Sequence, residues 1–291
     1  MTKSRKAEQA AAVPLLGAHF STAGGVSQAL VRARDARCNV AQIFTASPRQ
    51  WEGTAVDDAE VEAFIRLSQE RPILVAAHAG YLLNPASPDP EIRRKTLDAL
   101  TRELVRDAAL RLPYLVLHPG VAASGEREGA WRLAAEAVDA ALEASANRIT
   151  SILLETTAGQ GRSIGCQFEE LTRILDLSRH STRLGVCLDT SHVFAAGYDI
   201  RDEETYERTV AQLKRTVGLD RLRFMHLNDS RTGPGSRVDR HEHIGKGQIG
   251  RKAFELIMRD PRFARVGKCL ETEDDALREQ DLRILRRFAR S

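Results

Sequence analysis

Short apolar runs recur along the chain, and longer segments with helical spacing of apolar residues separate them. Most of these runs are continuous rather than alternating, which is typical of strands that are buried on both faces. Eight strands are predicted in this way, over residues 15–18, 40–45, 73–77, 114–117, 152–154, 184–188, 222–227 and 266–270. Strands of this kind need helices on both sides of their sheet.

The segments between the runs predict those helices. One has a clear beginning, because Asp89 can cap it, Pro90 suits the first turn and Glu91 favours the positive end of the helix dipole. The apolar residues that follow are spaced to form one face, at Leu97, Leu100, Leu104 and Ala108. Further helices are predicted over 131–146, 168–179, 203–217, 252–259 and 274–289.

Repeated alternation of strand and helix predicts an α/β protein with a parallel TIM (β/α)8 barrel, and a doubly wound open sheet is the alternative. We expect a single barrel domain over residues 15–291, because no linker, repeat or low-complexity segment interrupts it. Residues 1–14 are polar and alanine-rich, and they predict a flexible N-terminal extension without the apolar segment of a secretory signal. A cytoplasmic location is therefore expected.

The composition narrows the function classes. Lys and Arg total 43 against 40 Asp and Glu, so the net charge of +3 is too small for a tail-type nucleic-acid binder but leaves room for a local basic patch. The four cysteines form no CxxC pair, which argues against a cysteine zinc site and against a disulfide scaffold. No apolar run approaches the roughly 18 residues that a membrane helix needs.

Most predicted strands end in a side chain that can bind a metal ion. His19 ends the first strand, and the later strand ends carry His78, His118, Glu155, Asp189, His226 and Glu271. A single histidine at a strand end is usually an ordinary polar residue. In a parallel barrel, however, all carboxyl ends of the strands meet at one mouth. Three carboxylates crowded there raise one another's pKa unless cations neutralise them, so these positions in register predict a metal site.

Three further ligand candidates lie nearby in the sequence, His192 after the sixth strand and Asp239 and His241 after the seventh. The whole set offers only nitrogen and oxygen donors, which suits Zn²⁺, with Mn²⁺ or Fe²⁺ as alternatives, and disfavours Ca²⁺ or a lone Mg²⁺. Without His19 the set has nine members, five histidines and four carboxylates. Nine ligands exceed the needs of one or two metal ions, so three ions are expected if a carboxylate bridges a pair. His180 and His243 are predicted to lie outside this site.

Several motifs at these positions resemble the endonuclease IV family of apurinic/apyrimidinic endonucleases, from about Leu15 to the C-terminus. The strongest are LETTAGQG at 154–161, CLDTSH at 187–192, HLNDS at 226–230 and DRH at 239–241. GAH at 17–19, FT at 44–45, PRQW at 48–51, HAGYL at 78–82 and HPG at 118–120 fit the same pattern. The departures are Ser191, Glu273 and the extra N-terminal residues, and none of them removes a ligand.

The resemblance implies a trinuclear zinc enzyme, with Mn²⁺ as an alternative at one position, that acts as a monomer on duplex DNA containing abasic sites. It would cut the phosphodiester 5′ to the missing base, leave a 3′-hydroxyl and a 5′-deoxyribose phosphate, and trim blocked 3′ ends. The implied zinc ligands are His78, His118 and Glu155 for one ion, Glu155, Asp189, His226 and Glu271 for the second, and His192, Asp239 and His241 for the third. Glu155 and Glu271 would also be the catalytic residues.

The same resemblance implies that Arg49, Tyr81 and Leu82 enter the DNA, and that His19 stands beside the ligands without being one. Two other functions remain open from the residues: a metal-dependent sugar isomerase or epimerase on the same barrel, and a damage-binding protein without catalysis. The GKGQIG segment at 245–250 matches a dinucleotide-binding pattern. No strand precedes it, so we interpret it as a tight loop leading into a helix.

Overall fold

The computed structural model describes residues 13–53, 55–123, 126–272 and 274–290. Eight of its strands are all parallel to their neighbours and close a barrel: β1 (Leu16–His19), β2 (Val40–Ile43), β3 (Leu74–His78), β4 (Tyr114–Leu117), β5 (Ser151–Glu155), β6 (Leu184–Asp189), β7 (Leu222–His226) and β10 (Gly267–Leu270). Pairing between β1 and both β2 and β10 leaves the sheet without an edge. The TIM barrel is therefore confirmed, and the open-sheet alternative is wrong.

Helices surround the barrel: α1 (Val26–Asp35), α2 (Asp58–Glu70), α3 (Pro90–Ala109), α4 (Arg127–Ser145), α5 (Phe168–Leu177), α6 (Thr190–Ala196), α7 (Glu203–Thr216), α8 (Arg251–Arg259) and α9 (Asp275–Phe288). Helix α3 begins as predicted, with the Asp89 carboxylate accepting hydrogen bonds from the backbone N–H groups of Glu91 and Ile92. Helix α4 begins at Arg127, earlier than the predicted residue 131. The Arg127 side chain forms an ion pair with the buried Glu170.

Two elements close to the barrel mouth were not predicted. Helix α6 follows β6 without a loop, and a small antiparallel ribbon joins β8 (Asp229–Ser230) to β9 (His241–Glu242). Residues 1–12 of the predicted extension and Glu273 lie outside the described residues. Within the part of the chain that is described, every helix is too short or too polar to cross a lipid bilayer.

The barrel interior has two layers of side chains near the mouth. The lower layer is apolar and fully buried, and consists of Val40, Ala76, Val116, Leu153, Cys187, Phe224 and Cys269. Because successive residues of a strand face opposite sides, the residue two positions further along points inward again. Those residues form the upper layer: Gln42, His78, His118, Glu155, Asp189, His226 and Glu271. The candidate ligands thus stand directly on an apolar floor.

Candidate metal centre

The barrel mouth brings all nine predicted ligands together. Three groups can be distinguished, and within each group the donor atoms lie within 4.8 Å of one another. The groups are His78, His118 and Glu155; Glu155, Asp189, His226 and Glu271; and Asp189, His192 and His241. Asp239 joins the third group, because its carboxylate oxygens lie 3.1 Å from His192 Nε2 and 3.3 Å from His241 Nε2. Glu155 and Asp189 each belong to two groups, so the three groups form one continuous cluster.

Local structure places the ligands that do not come from strand ends. The Asp189 carboxylate caps α6 by accepting a 2.8 Å hydrogen bond from the backbone N–H of His192, and this puts the imidazole in the first turn of the helix. His241 reaches the mouth through the β8–β9 ribbon, in which it pairs with Ser230. These two unpredicted elements therefore complete the third group.

Glu155 lies at the centre of the cluster and is almost completely buried. One carboxylate oxygen is 3.2 Å from His78 Nε2 and 2.9 Å from His118 Nε2, and the other is 2.9 Å from His226 Nδ1. Burial raises the pKa of Glu155, but the imidazoles of His118 and His226 outweigh this effect and hold the pKa well below its usual range. The carboxylate faces different histidines with its two oxygens, as a bridging ligand would.

Hydrogen bonds decide which nitrogen of each buried histidine is available. His78 Nδ1 donates to the carbonyl oxygen of Ala79 at 2.8 Å, and His192 Nδ1 donates to that of Thr156 at 2.7 Å. A carbonyl oxygen only accepts, so these nitrogens carry the hydrogen. The Nε2 atoms are left to face the carboxylates, which is the arrangement that metal-binding histidines have in proteins.

The imidazoles and carboxylates of the cluster shift one another's pKa. Burial lowers the pKa of His192, but the neighbouring Asp189 and Asp239 carboxylates hold it well above the usual value. Burial raises the pKa of Glu271, yet His226 and the other imidazoles bring it down to about 2. Because metal ligands must be deprotonated, metal binding at such a site releases protons.

The donor set fits zinc. It consists of imidazole nitrogens and carboxylate oxygens, and several of the carboxylates are buried where only a cation or a proton could neutralise them. Cys187 lies in the layer below, and burial raises its thiol pKa to about 12. This thiol stays neutral and is not part of the candidate groups. His180 pairs with Glu143 at 3.0 Å and His243 with Asp281 at 2.7 Å, so neither belongs to the three groups.

The asparagine of the HLNDS motif contacts two ligands, although the sequence assigned it no role. Asn228 Nδ2 donates to Asp189 Oδ2 at 2.7 Å and to Glu271 Oε2 at 3.1 Å, and its Oδ1 accepts from the Glu271 backbone N–H at 3.1 Å. Its position two residues after the ligand candidate His226 was the available signal.

The glycine-rich segment 245–250 wraps around a carboxylate of the same chain. The buried Asp229 accepts hydrogen bonds from the backbone N–H groups of Gly245, Gly247 and Ile249 at 2.9, 3.1 and 2.9 Å. Backbone donors in such loops bind phosphate in nucleotide-binding proteins. Here an internal carboxylate fills that place, and the loop leads into α8 as interpreted from the sequence.

Comparison with known proteins decides the family. Residues 30–291 match the family model described as a xylose isomerase-like TIM barrel. The chain is 46% identical over 286 residues to a probable endonuclease 4 of Chloroflexus aggregans, covering 96% of this chain and 99% of the relative. The crystal structure of endonuclease IV from Thermus thermophilus superposes with a TM-score of 0.86 at 35% identity, covering 95% of this chain and 99% of that one. The chain belongs to the endonuclease IV family.

Sugar-converting barrels resemble this endonuclease in fold alone. A D-tagatose 3-epimerase-like protein has a TM-score of 0.74 but only 18% identity, covering 94% of this chain and 97% of that one. The function follows from the residues at the mouth, because one barrel fold carries many chemistries.

In this member of the endonuclease IV family, the candidate cluster lies at the floor of an open cleft with a volume of about 880 Å³. Tyr81 is 64% exposed and lines the cleft, Leu82 is 36% exposed, and Arg49 is exposed on the preceding loop. The Tyr81 backbone N–H donates to the carbonyl oxygen of Pro48 at 2.9 Å. This bond joins the loops that carry the three predicted DNA-contacting residues.

Side chains of helix α3 form hydrogen bonds with the loop that carries Arg49. Arg102 donates to the carbonyl oxygen of Trp51 at 3.1 Å, and Arg106 donates to Thr45 Oγ1 at 3.0 Å. Thr45 in turn donates to Glu103 at 2.6 Å, and Glu103 forms a buried ion pair with Arg106. The loop that carries Arg49 is thus anchored at both ends.

Proposed function

We propose that this endonuclease repairs DNA by hydrolysing the phosphodiester 5′ to an abasic site in duplex DNA. The products are a 3′-hydroxyl and a 5′-deoxyribose phosphate, and the same chemistry trims blocked 3′ ends. One observation carries the proposal: nine nitrogen and oxygen donors form a continuous cluster at the floor of an open cleft. Membership of the endonuclease IV family supports the choice of a phosphodiester substrate.

Three zinc ions are assigned to the cluster. His78, His118 and Glu155 would hold the first ion, Glu155, Asp189, His226 and Glu271 the second, and His192, Asp239 and His241 the third, with Mn²⁺ as the alternative at one position. Three close groups that share carboxylates support this number. When bound, such ions lower the pKa of water towards neutrality and neutralise phosphate charge.

Glu155 and Glu271 are the proposed catalytic residues. Both line the cleft, and both have a pKa held below its usual range, so both are ionised at neutral pH. Glu155 would help to hold the first two ions and to neutralise their charge. Glu271 is partly exposed to the cleft and can accept a hydrogen bond from the attacking nucleophile, which orients it towards phosphorus.

The loops at the cleft rim account for selectivity towards abasic sites. A nucleotide without a base has lost its pairing and most of its stacking, so turning it out of the duplex costs less than turning out an intact one. Tyr81 and Leu82 are exposed where their side chains can fill the vacated space and hold a bend. Arg49, on the neighbouring loop, enters the DNA together with them. Arg32, Arg240 and Arg278 line the cleft, where they can contact phosphates.

The decisive experiment uses an oligonucleotide duplex with a single tetrahydrofuran abasic analogue. We expect one nick on the 5′ side, with a 3′ end that a DNA polymerase can extend, and no cutting of the matched intact duplex. Conversion of ketose sugars by a protein that leaves the duplex whole would favour the isomerase. A gel shift without a nick, with metal loaded, would favour a binding protein.

Elemental analysis of protein purified without added metal tests the metal assignment separately. We expect about three zinc atoms per chain, with addition of a chelator removing both metal and cleavage, and zinc restoring them. Because all nine donors come from one chain, we also expect a monomer. Its proposed DNA substrate is the reason that we expect it to act in the cytoplasm. A zinc content near one would contradict the trinuclear assignment even if the duplex is cut.

Replacement of Arg49 by alanine is expected to weaken binding of the abasic duplex about tenfold, because about 1.4 kcal/mol of charged contact is lost. The zinc content should not change, and the salt dependence of binding should become less steep by about one unit if the contact is to phosphate. Fluorescence anisotropy at several salt concentrations measures this.

Arg148→Ala provides the matched control, since this exposed arginine precedes β5 at the opposite end of the barrel. Its affinity for DNA should equal that of the unmodified protein. Loss of zinc in Arg49→Ala would contradict the assignment of Arg49 to the DNA-binding surface.

A further inference from the structure

Gln42 is an upper-layer residue of the barrel that carries no charge in any state. It lies on β2, is fully buried, and follows the floor residue Val40 by two positions. Its Nε2 donates to Glu271 Oε1 at 2.7 Å and to His19 Nδ1 at 3.2 Å. Its Oε1 accepts from His226 Nε2 at 2.7 Å. The amide therefore joins two proposed ligands of the same ion.

The donor and acceptor groups around Gln42 determine which way its amide is oriented. Ionised Glu271 can only accept hydrogen bonds, so the amide nitrogen of Gln42 must face it and the amide oxygen must face the imidazole of His226. The opposite orientation would place the amide oxygen 2.7 Å from a carboxylate oxygen, with no hydrogen between them. It follows that His226 Nε2 carries a hydrogen.

This hydrogen bond determines which nitrogen of His226 faces the cluster. With Nε2 engaged by Gln42, the Nδ1 atom points at Glu155 Oε1, 2.9 Å away, at Glu271 Oε2, 3.2 Å away, and at Asp189 Oδ2, 3.7 Å away. The three other members of the candidate group thus surround the nitrogen that Gln42 leaves available.

The same amide fixes Glu271. Gln42 holds one oxygen of this carboxylate, while Asn228 Nδ2 donates to the other at 3.1 Å. Because both of its oxygens accept hydrogen bonds, the Glu271 carboxylate is kept in one orientation. In that orientation it faces both His226 and the cleft. Side chains that orient metal ligands in this way contribute about ten- to a hundredfold to metal affinity.

We propose that Gln42 is a positioning residue for the second ion, orienting both His226 and Glu271 through its single amide. This inference rests on the proposed function for the identity of the ion, and on geometry for everything else. It adds to the metal site a residue from a strand that supplies no ligand.

Zinc affinity measured by competition with a chromophoric chelator tests the proposal on the full chain. Gln42→Met keeps the volume of the side chain and removes its donors and its acceptor. We expect zinc binding to weaken ten- to a hundredfold for one of the three ions. Unchanged affinity and stoichiometry would overturn the proposal. Gln42→Leu gives a second variant with the same expected result if the methionine variant does not fold.

Asn147→Leu is the matched control for a merely structural effect. Asn147 is also a buried amide, donating to the Leu104 carbonyl at 2.7 Å and to Thr150 Oγ1 at 2.8 Å, away from the mouth. It should lower the melting temperature without changing zinc affinity. Should both variants lose zinc affinity equally, Gln42 would have no specific role and the proposal would fail.

A double variant separates action through Glu271 from an independent effect. If Gln42 works through that carboxylate, Gln42→Met should weaken zinc binding less in the Glu271→Gln protein than in the unmodified one, because interacting residues are not additive. Additive losses would contradict the mechanism. Zinc binding without cleavage of abasic DNA by the unmodified chain would instead refute the proposed function, and leave the role of Gln42 standing.

Discussion

Glu271→Gln should reduce single-turnover cleavage of the tetrahydrofuran duplex about a thousandfold or more, while DNA binding changes far less. The substitution preserves size but removes the charge that faces His226 Nδ1 at 3.2 Å, and it places an amide against the amide of Gln42. Stabilisation of transition-state charge by a bound metal is worth several kcal/mol, and each 1.36 kcal/mol is a factor of ten in rate. Quench-flow kinetics and anisotropy measure the two quantities.

Glu279→Gln is the matched control, because this exposed carboxylate lies nearby in the sequence, on α9, and forms a loose pair with Arg283 at 3.9 Å. It should retain the full rate. Full activity in Glu271→Gln would mean that the reacting centre has been misplaced. An equal loss of DNA binding and rate would show that Glu271 holds the substrate instead of acting on it.

Gly17→Ala should be strongly destabilising, even though alanine adds one methyl group. A Cβ at residue 17 would lie 1.7 Å from the carbonyl oxygen of Val40 and 2.5 Å from its carbonyl carbon. Gly17 and Val40 are paired residues of the neighbouring strands β1 and β2. The added methyl group would therefore force the backbone of the closed barrel to move. Overpacking of this kind costs about 3 kcal/mol or more. The melting temperature should fall by roughly 6 to 12 °C.

The melting temperature of the zinc-free protein is the measurement, because bound metal would add its own stabilisation. Gly233→Ala is the control, since a Cβ there meets no atom within 4 Å and its backbone needs no positive φ. It should change stability by less than about 0.5 kcal/mol. A melting temperature in Gly17→Ala equal to that of the control would contradict the close approach of β1 and β2.

Element boundaries were less predictable from the sequence than the elements themselves. The apolar run at 40–45 predicts a strand to Thr45, whereas β2 ends at Ile43. Thr45 is not part of β2 because its side chain forms hydrogen bonds with Glu103 and Arg106 of α3. These partners are distant in the sequence, so the residues around Thr45 do not predict the contact. Helix α6 was missed because its N-terminal cap, Asp189, was interpreted only as a candidate ligand.

The candidate ligands at strand ends were accessible from the sequence because they depend on local order. A buried strand is recognised by its own residues, and the side chain that follows it must emerge at the mouth of a parallel barrel. This local pattern was sufficient to predict the positions of His78, Glu155 and Asp189. His192, Asp239 and His241 do not end barrel strands, and their place in the cluster depends on α6 and the β8–β9 ribbon.

The barrel, the family resemblance and the set of candidate ligands could all be predicted from the order of the residues, because strand period and motif order are local properties. The folded chain was needed to see which atoms of the ligands face each other, and that Asp189 belongs to the third group as well as the second. Gln42 contacts residues 184 and 229 positions away, and Asn228 contacts one 39 positions away. A glutamine within an apolar strand looks like an ordinary buried polar residue until the barrel closes and places its hydrogen-bond partners beside it.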